Sequence, residues 1–592
     1  MCGICGIYNE KNLPLVTSML ESIRHRGPDS FSTILFKNHS LGECGLNIVS
    51  TKEDQLPYID RESQIALLFN GEIYNYLELK QNLTADGFVF TSESDSEVII
   101  PLYKKYKHDF VHHLKGMFAI VLVDGDKIIL ARDRYGIKPL YYYQSGKKLV
   151  FGSEIKSLLQ HPEVPAELDR ESLEELIVFG YIFSEDKTML KKIRQVSPGS
   201  LIIFDGRNIS NYKYYQMPSS FYLDSGKENL KEISAKKNYE DCVEQLREVL
   251  TRTFTMMHKH GDSDKGIYLS GGIDSTAMAI FSREVSGRPV ATYTIADSEE
   301  APDLKYARLV SRNLETEHKE FFVTADDYLN ELPRFVYHYE NIMAGVVFDI
   351  QGGIAFHMLS RNISKYHKIA FTGEGADELF GGYYWIYTHP LGFSDRIRQQ
   401  ASRLIDGSNI KCLVDRIFPS PEDEKVYRKN LFDVLMKSGL ANYHLCSVDR
   451  SCSAFGFEAR PPYLYDEVAE FALSIPIDFK VPDANATKQV FKDAMKPPLK
   501  KYNLLEIAER KKYGMPAAIS RIGLDVQTKI NNIVPEKLIS THPFKEYLKN
   551  SIDILMFDLF QYFFIQKRGQ YESGFSIEDF YKEKINEDMY HQ

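Results

Sequence analysis

Three short stretches bring together residue types that could do chemistry. The chain begins MCGICGIY, with two residues between Cys2 and Cys5. A redox C-x-x-C normally opens a helix, whereas Gly-Ile-Cys-Gly-Ile-Tyr alternates like a strand and puts the two thiols on opposite faces. A zinc site would need two further ligands at suitable spacing, and only Cys44 is near in sequence. The pair therefore separates into Cys2, able to act alone, and Cys5, a small apolar strand residue. Removal of Met1, which a small second residue permits, would free an α-amine that can serve as the thiol's own base.

In the second half an apolar strand runs into Ser270-Gly271-Gly272, and Asp274 and Ser275 then open a helix. Glycines let backbone approach phosphate closely, while hydroxyls and the free N–H groups of a helix start bind the anion. A carboxylate among such groups makes sense as a Mg²⁺ ligand. The G-x-x-x-x-G-K-[ST] nucleotide loop is absent, and Ser-Gly-Gly alone reads equally well as an ordinary strand-to-helix turn. The stretch FTGEGADELFGGYY, residues 371–384, shifts that balance. It follows another buried strand and gathers Glu374, Asp377 and Glu378 among glycines, where three carboxylates would repel one another without a metal or cationic partner. Asp274 and Asp377, at the ends of two strands, could share one Mg²⁺, an arrangement that suits ATP with pyrophosphate as leaving group.

The elements that must carry these loops divide the chain in two. At 592 residues it is too long for one core, and two large lobes are expected. Up to about residue 205 short strands meet at turns, most clearly in GMFAIVLVDGDKIILARD (116–133), where an Asp-Gly turn separates two apolar runs. Residues 210–240 turn polar and read as a linker. Beyond them strands alternate with helices, the pattern of a parallel α/β sheet, and from about residue 400 the text is mainly helical. The net charge is 72 minus 82, or −10, without a long basic run, which argues against a non-specific hold on nucleic acid or membrane. Seven thinly spread cysteines do not describe a disulfide framework. No targeting or membrane-spanning pattern is evident, so a cytoplasmic protein is expected.

With these pieces in hand, the sequence resembles the glutamine-dependent asparagine synthetase family over nearly its whole length. The first half is similar to a class II glutamine amidotransferase domain: Met-Cys2-Gly-Ile, RHRGPDS (24–30), FNGEIYNY (69–76), SDSE (94–97) and ARDRYGIKPLYY. The second is similar to an ATP-pyrophosphatase domain: SGGIDS, Pro302-Asp303, TGEGADELFGGY, FEARPPYLYD (457–466), TKQVFKDAM and ERKKYGMP (509–516). The resemblance implies a two-domain protein of α+β and α/β class. Residues 1–210 would form an Ntn-hydrolase-type αββα sandwich. Residues 225–592 would form a parallel-sheet, adenine nucleotide α-hydrolase-like (PP-loop) domain with added helices.

It also implies an ATP-dependent, glutamine-hydrolysing amidotransferase, a carbon–nitrogen ligase. Glutamine would be hydrolysed in the first half, and the ammonia would pass internally to a carboxylate adenylated in the second, giving a carboxamide. By the same resemblance Cys2 is the nucleophile, the Asn70 side chain and Gly71 N–H hold the oxyanion, and Glu72 and Asp95 hold the α-amino end of glutamine. Leu269, Ser270, Gly271, Gly272, Asp274, Ser275, Thr372 and Gly373 would contact ATP, and Asp274 and Asp377 would ligate Mg²⁺. Lys488 would stabilise charge on the adenylate. Glu374 would accept a proton from attacking ammonia, where relatives that close a β-lactam ring carry tyrosine. Small-molecule substrates are implied, and a homodimer is compatible with the family.

Three places depart from the family pattern, one of them Pro462 and Tyr463 in EARPPYL, where the family commonly reads Arg-Val-Pro-Phe. In LGECGLNIVS the arginine that clamps the glutamine α-carboxylate is replaced by Gly45, a loss of roughly 1.5–3 kcal/mol unless Arg24 or Arg26 substitutes. The stretch 341–359, where the family holds aspartate, contains no arginine or lysine, so a cation from elsewhere, such as Arg460, would be needed. The expected acceptor is therefore aspartate or another biosynthetic carboxylate such as a sugar uronate. The alternative is an ammonia- or amine-dependent amide ligase with a weak or relic glutaminase lobe.

Overall fold

The computed structural model describes residues 2–586 apart from 49–56, 218–237, 262–263, 343–349, 384–389, 405–406, 419–433, 484–485 and 511–518. Met1, most of the expected linker, the centre of the 341–359 stretch and most of ERKKYGMP lie outside the described residues.

The strands of the first half are β1 (Gly3–Tyr8), β2 (Ser30–Phe36), β3 (His39–Gly45), β4 (Tyr58–Asp60), β5 (Ile65–Ile73), β6 (Gly116–Asp124), β7 (Lys127–Arg132), β8 (Tyr141–Ser145), β9 (Lys148–Gly152), β10 (Arg194–Gln195), β11 (Ser200–Phe204) and β12 (Ile209–Lys213). They form two antiparallel sheets, ordered β10-β8-β9-β1-β3-β2 and β12-β11-β7-β6-β5-β4. Strand alternation makes the layers. Ile4, Leu41, Ala66, Leu68, Val121 and Phe151 pack between the sheets. Their neighbours Leu67, Phe69 and Ile120 pack outward with Leu79, Leu83 and Ile99 of the helices Tyr76–Ala85 and Ile99–Tyr106. On the other side Cys5 and Ile7 meet Val16, Met19 and Leu20 of the helix Leu13–Glu21. This is the expected αββα sandwich, and Cys5 indeed faces a helix. Cys2, two residues before Ile4, belongs by alternation to the space between the sheets.

β12 carries the second sheet past residue 210. Ser210 and Asn211 pair with Ile203 and Ile202, and the strand's polar sequence reflects an exposed sheet edge.

The second half is built on a parallel sheet of β13 (Lys265–Tyr268), β14 (Ala291–Ala296), β15 (Glu317–Phe322), β16 (Ile369–Phe371) and β17 (Glu458–Arg460), in the order β15-β14-β13-β16-β17. The helices Tyr239–Lys259 and Ile273–Ser286 cover one face through Phe254, Ala277 and Phe281, which pack with Ile267 and Phe371. The helix Ile350–Ile363 covers the other, where Phe356 stacks on Tyr268. In a parallel sheet covered on both faces, the loops after the strands are the place for ligands. Ser270-Gly271-Gly272 follows β13, and Thr372-Gly373-Glu374 follows β16.

Buried ion pairs join the halves. Glu154 receives Arg26 at 2.7 Å and Arg450 at 2.9 Å, and Glu340 receives Lys156 at 3.0 Å and Arg450 at 2.9 Å. The backbone N–H groups of Ile155 and Lys156 also donate to Glu340, each at 2.8 Å. Such pairs hold register, because removing one partner strands a charge in the interior.

Candidate functional site

Two constellations stand at the ends of these sheets. In the first, Cys2 N donates to Asn70 Oδ1 at 2.9 Å, which brings β1 of one sheet against β5 of the other. Asn70 is fully buried, and its Nδ2 has no hydrogen-bond partner among the described residues. A donor left unpaired beside a thiol is what an oxyanion site requires. Gly71 follows on the same strand, not on a strand-to-helix turn, and a Cβ there would lie 2.1 Å from the Met117 carbonyl oxygen. Burial pushes the Cys2 thiol up to about 11, with the Glu43 and Glu458 carboxyls adding to the shift. A base close to the thiol is therefore needed for thiolate chemistry.

Glu72, still on β5, and Asp95 meet in the same recess, both nearly fully buried. Asp95 accepts from Ile73 N at 2.7 Å, and burial together with the Glu72 charge raises it to about 8. Two side chains of the second half also enter here. Arg460 reaches Glu72 at 2.9 Å and His260 reaches it at 2.6 Å.

Neither arginine suggested as a substitute for the one missing at Gly45 is available. Arg26 is completely buried, donating to the Cys2 carbonyl at 3.1 Å and to Glu154, Asp449 and Ser453. Arg24 pairs with Glu21 on the surface. Arg460 as a cation for the acceptor is likewise corrected. Its guanidinium binds Glu72, Glu458 and the His260 carbonyl, so it points to the amidotransferase half.

The second constellation assembles the phosphate-loop residues. Leu269 continues β13, its N–H donating to the Tyr293 carbonyl at 2.9 Å. Gly271 has φ +67°, and a Cβ there would come within 2.4 Å of the Tyr306 backbone, so only glycine fits the turn. The Ser270 and Ser275 hydroxyls lie 3.2 Å apart, at the N-terminus of the fourteen-residue helix Ile273–Ser286. Across from them Gly373 faces Asp274, whose Cβ lies 3.7 Å from where a glycine-373 Cβ would be. Lys488 Nζ lies 2.6 Å from Asp274 Oδ1 and 2.6 Å from Asp377 Oδ1. Burial alone would lower the Lys488 pKa, but the two carboxylates outweigh it and raise it. Lys488 sits at φ +56°, a strained backbone held in place by this network.

Two aspartates that converge on one cation fit a Mg²⁺ ion, which takes one or two carboxylates and completes its shell with water and phosphate oxygens. Glu374, three residues before Asp377, has a buried Oε2 without a hydrogen-bond partner among the described residues. Desolvation, with repulsion from Glu378 and Asp377, raises it to about 7 against the pull of the Thr372 hydroxyl. That value suits a group trading a proton near neutrality.

Cys2, Asn70, Glu72 and Asp95 thus lie together in the first constellation, and Ser270, Asp274, Ser275, Asp377 and Lys488 in the second. β17 touches both: Arg460 pairs with Glu72 at 2.9 Å while its carbonyl accepts from Thr372 N at 3.0 Å, and Glu458 pairs with Lys138 at 2.9 Å. Three further residues carried no role in the sequence. The Tyr463 hydroxyl donates to the Asp274 carbonyl at 2.7 Å, and Arg510 donates to the Ser270 carbonyl at 3.2 Å. Both stand in motifs that were visible, whereas His260 stands in none.

Comparison with known proteins agrees with this division. A family described as "Glutamine amidotransferase domain" matches residues 1–215, and one described as "Asparagine synthase" matches residues 245–552. Asparagine synthetase [glutamine-hydrolyzing] 1 of Bacillus subtilis is 26% identical, over 93% of this chain and 92% of its own. Asparagine synthetase [glutamine-hydrolyzing] 3 of the same organism is 27% identical over 84% of each chain. Asparagine synthetase B [glutamine-hydrolyzing] of Escherichia coli is 27% identical, over 80% of this chain and 75% of its own. The chain therefore belongs to the asparagine synthase family, its synthase domain preceded by a glutamine amidotransferase domain.

Proposed function

We propose that the protein is an ATP-dependent ligase that hydrolyses glutamine and uses the ammonia to convert a carboxylate into a carboxamide. The observation that supports this reading is that Cys2, Asn70, Glu72 and Asp95 gather at one place and Asp274, Asp377 and Lys488 at another, with Arg460 of β17 reaching Glu72 through its side chain and Thr372 through its carbonyl. Cys2 would attack the glutamine amide, with Asn70 Nδ2 and Gly71 N–H receiving the oxyanion. In the second centre the loop from Leu269 to Ser275, with Thr372 and Gly373, would cradle ATP. Asp274 and Asp377 would hold Mg²⁺, which when bound offsets the negative charge of the phosphates. Lys488 would stabilise charge on the adenylate, and Glu374 would take the proton that ammonia loses as it attacks the acyl carbon.

Aspartate, or another biosynthetic carboxylate such as a sugar uronate, is the proposed acceptor class. The cation-free stretch 341–359 and the engagement of Arg460 with Glu72 favour an acceptor other than aspartate. A pyrophosphate-release assay over a panel of carboxylates tests this, and robust turnover with aspartate would reject the preference.

A second reading, an ammonia- or amine-dependent amide ligase with a weak glutaminase lobe, is favoured by Gly45. Cys2→Ala separates the two: glutamine-supported product formation at the wild-type rate in that variant would eliminate the glutaminase.

A further inference from the structure

Glu72 is the meeting point of the two halves, and both its oxygens are taken from the synthetase side. Oε1 receives Arg460 Nη2 at 2.9 Å, and Oε2 receives His260 Nε2 at 2.6 Å. His260 is held firmly there. Its ring lies edge-on to Tyr74 and Tyr76, at 5.1 and 5.8 Å, and its carbonyl accepts from Arg460 Nη1 at 3.0 Å. One ligand atom each of Glu72, Asp95 and His260 lies within 4.8 Å of the others, the spacing of a metal site. The Arg460 guanidinium on Glu72 makes a second cation there costly, so the cluster is better read as a carboxylate pair already provided with positive charge.

On the proposed reading that Glu72 and Asp95 bind the α-ammonium of glutamine, this arrangement has a consequence for affinity. An ammonium has three N–H donors to place, and the Glu72 oxygen already filled by the His260 ring N–H at 2.6 Å is not open to it. We infer that His260, a residue of the synthetase half, competes with the glutamine α-ammonium for Glu72 and thereby sets the glutamine affinity of the amidotransferase half. His260 is a specificity-determining residue acting through Glu72 and takes no part in bond making. Together with Gly45, it leaves the amino-acid end of glutamine weakly held at both poles.

The test compares wild type, His260→Phe and His260→Gln in a steady-state glutaminase assay. His260→Phe, which can pack between the two tyrosines without an N–H, is expected to lower the glutamine KM about five- to tenfold, within the worth of one charge-assisted hydrogen bond, with kcat within about twofold. His260→Gln keeps an N–H donor for Glu72 and is expected to keep the wild-type KM. A KM in His260→Phe that is unchanged or raised overturns the inference, as does an equal fall in His260→Gln. If thermal unfolding shows that His260→Phe is not folded, His260→Leu, which also lacks an N–H, carries the same expectation. Cys2→Ala separates this from failure of the underlying reading. Loss of glutamine use in Cys2→Ala with no KM change at His260 rejects the inference alone, whereas glutamine use that survives Cys2→Ala rejects the reading itself.

Discussion

Arg26 Nε donates to the carbonyl oxygen of Cys2 at 3.1 Å. Its remaining nitrogens are spent on Glu154, and on Asp449 and Ser453 of the synthase domain, so the backbone of Cys2 is tied directly to that domain. Arg26→Ala would take the guanidinium from buried Asp449 and remove one of the cations around Glu154, which keeps Arg450. A loss of about 3–5 kcal/mol in unfolding free energy is expected, with a fall in glutamine hydrolysis larger than the loss of folded protein. Denaturant titration and a glutaminase assay on the same sample check both.

Glu374 is raised to about 7, chiefly by burial, so its carboxylate form increases as pH climbs through that value. If it receives the ammonia proton, the ammonia-supported rate rises with pH around 7. Glu374→Gln flattens that rise and lowers the rate by about 10²- to 10⁴-fold. The sign for stability is opposite. A carboxyl whose folded pKa exceeds the unfolded one holds its proton more tightly when folded, so it destabilises the fold as pH rises above about 4.5. Glu374→Gln should therefore unfold at a higher temperature than wild type at pH 8, and by a smaller margin at pH 5.

His338 lies buried, its ring edge-on to His25 at 4.5 Å and 6.2 Å from His357. Burial, with the positive charge of Lys156 and the neighbouring histidines, holds it well below its usual pKa against the opposing pull of Glu154. The folded protein thus binds fewer protons than the unfolded chain once pH drops below about 6.5, and stability falls as pH falls through that window. Melting temperatures between pH 7.5 and 5 should show the decline, and His338→Phe should reduce its slope.

Asp274 and Asp377 are bridged by Lys488 Nζ, which makes their carboxylates a ready pair for a divalent ion. Chelation of divalent cations should abolish acceptor-dependent pyrophosphate release and leave glutamine hydrolysis in place, and added Mg²⁺ should restore release. Asp377→Asn should raise the Mg²⁺ concentration needed for half-maximal release by about tenfold or more, read from a Mg²⁺ titration.

Gly271 cannot carry a side chain, because its φ is +67° and a Cβ would meet the Tyr306 backbone at 2.4 Å. Gly271→Ala is expected to distort the loop and raise the KM for ATP about tenfold or more, while the glutamine KM stays as in wild type. Initial rates with each substrate varied in turn check the difference.

Much of the architecture is a local matter and was legible in the sequence. The period-2 alternation of GICGIY separates Cys2 from Cys5, the Asp-Gly turn makes the β6–β7 hairpin, and the strand-glycine-helix units mark the parallel sheet and both its loops. The proposed phosphate loop is likewise contained in a few contiguous residues, since the Ser270 and Ser275 hydroxyls and the helix start come from one turn. Edges were less legible: ISNYK reads as linker until its pairing partner is known, because an exposed edge strand has no apolar face to announce it.

What only the tertiary structure decided is which charge meets which. Arg26, Arg460 and His260 are separated in sequence from Cys2 and Glu72 by 24, 388 and 188 positions respectively, counted from Arg26 to Cys2, Arg460 to Glu72 and His260 to Glu72. No periodicity links such positions. Their pairing depends on a buried interface where desolvation makes an unpaired charge costly and so selects one arrangement. The sequence by itself determined the two-domain class of the fold and the loops in which the proposed site residues lie. The packing of the two halves determined that Arg460 serves Glu72 and that His260 lies against it, because charge placement over such separations is a property of the fold and not of any local run of residues.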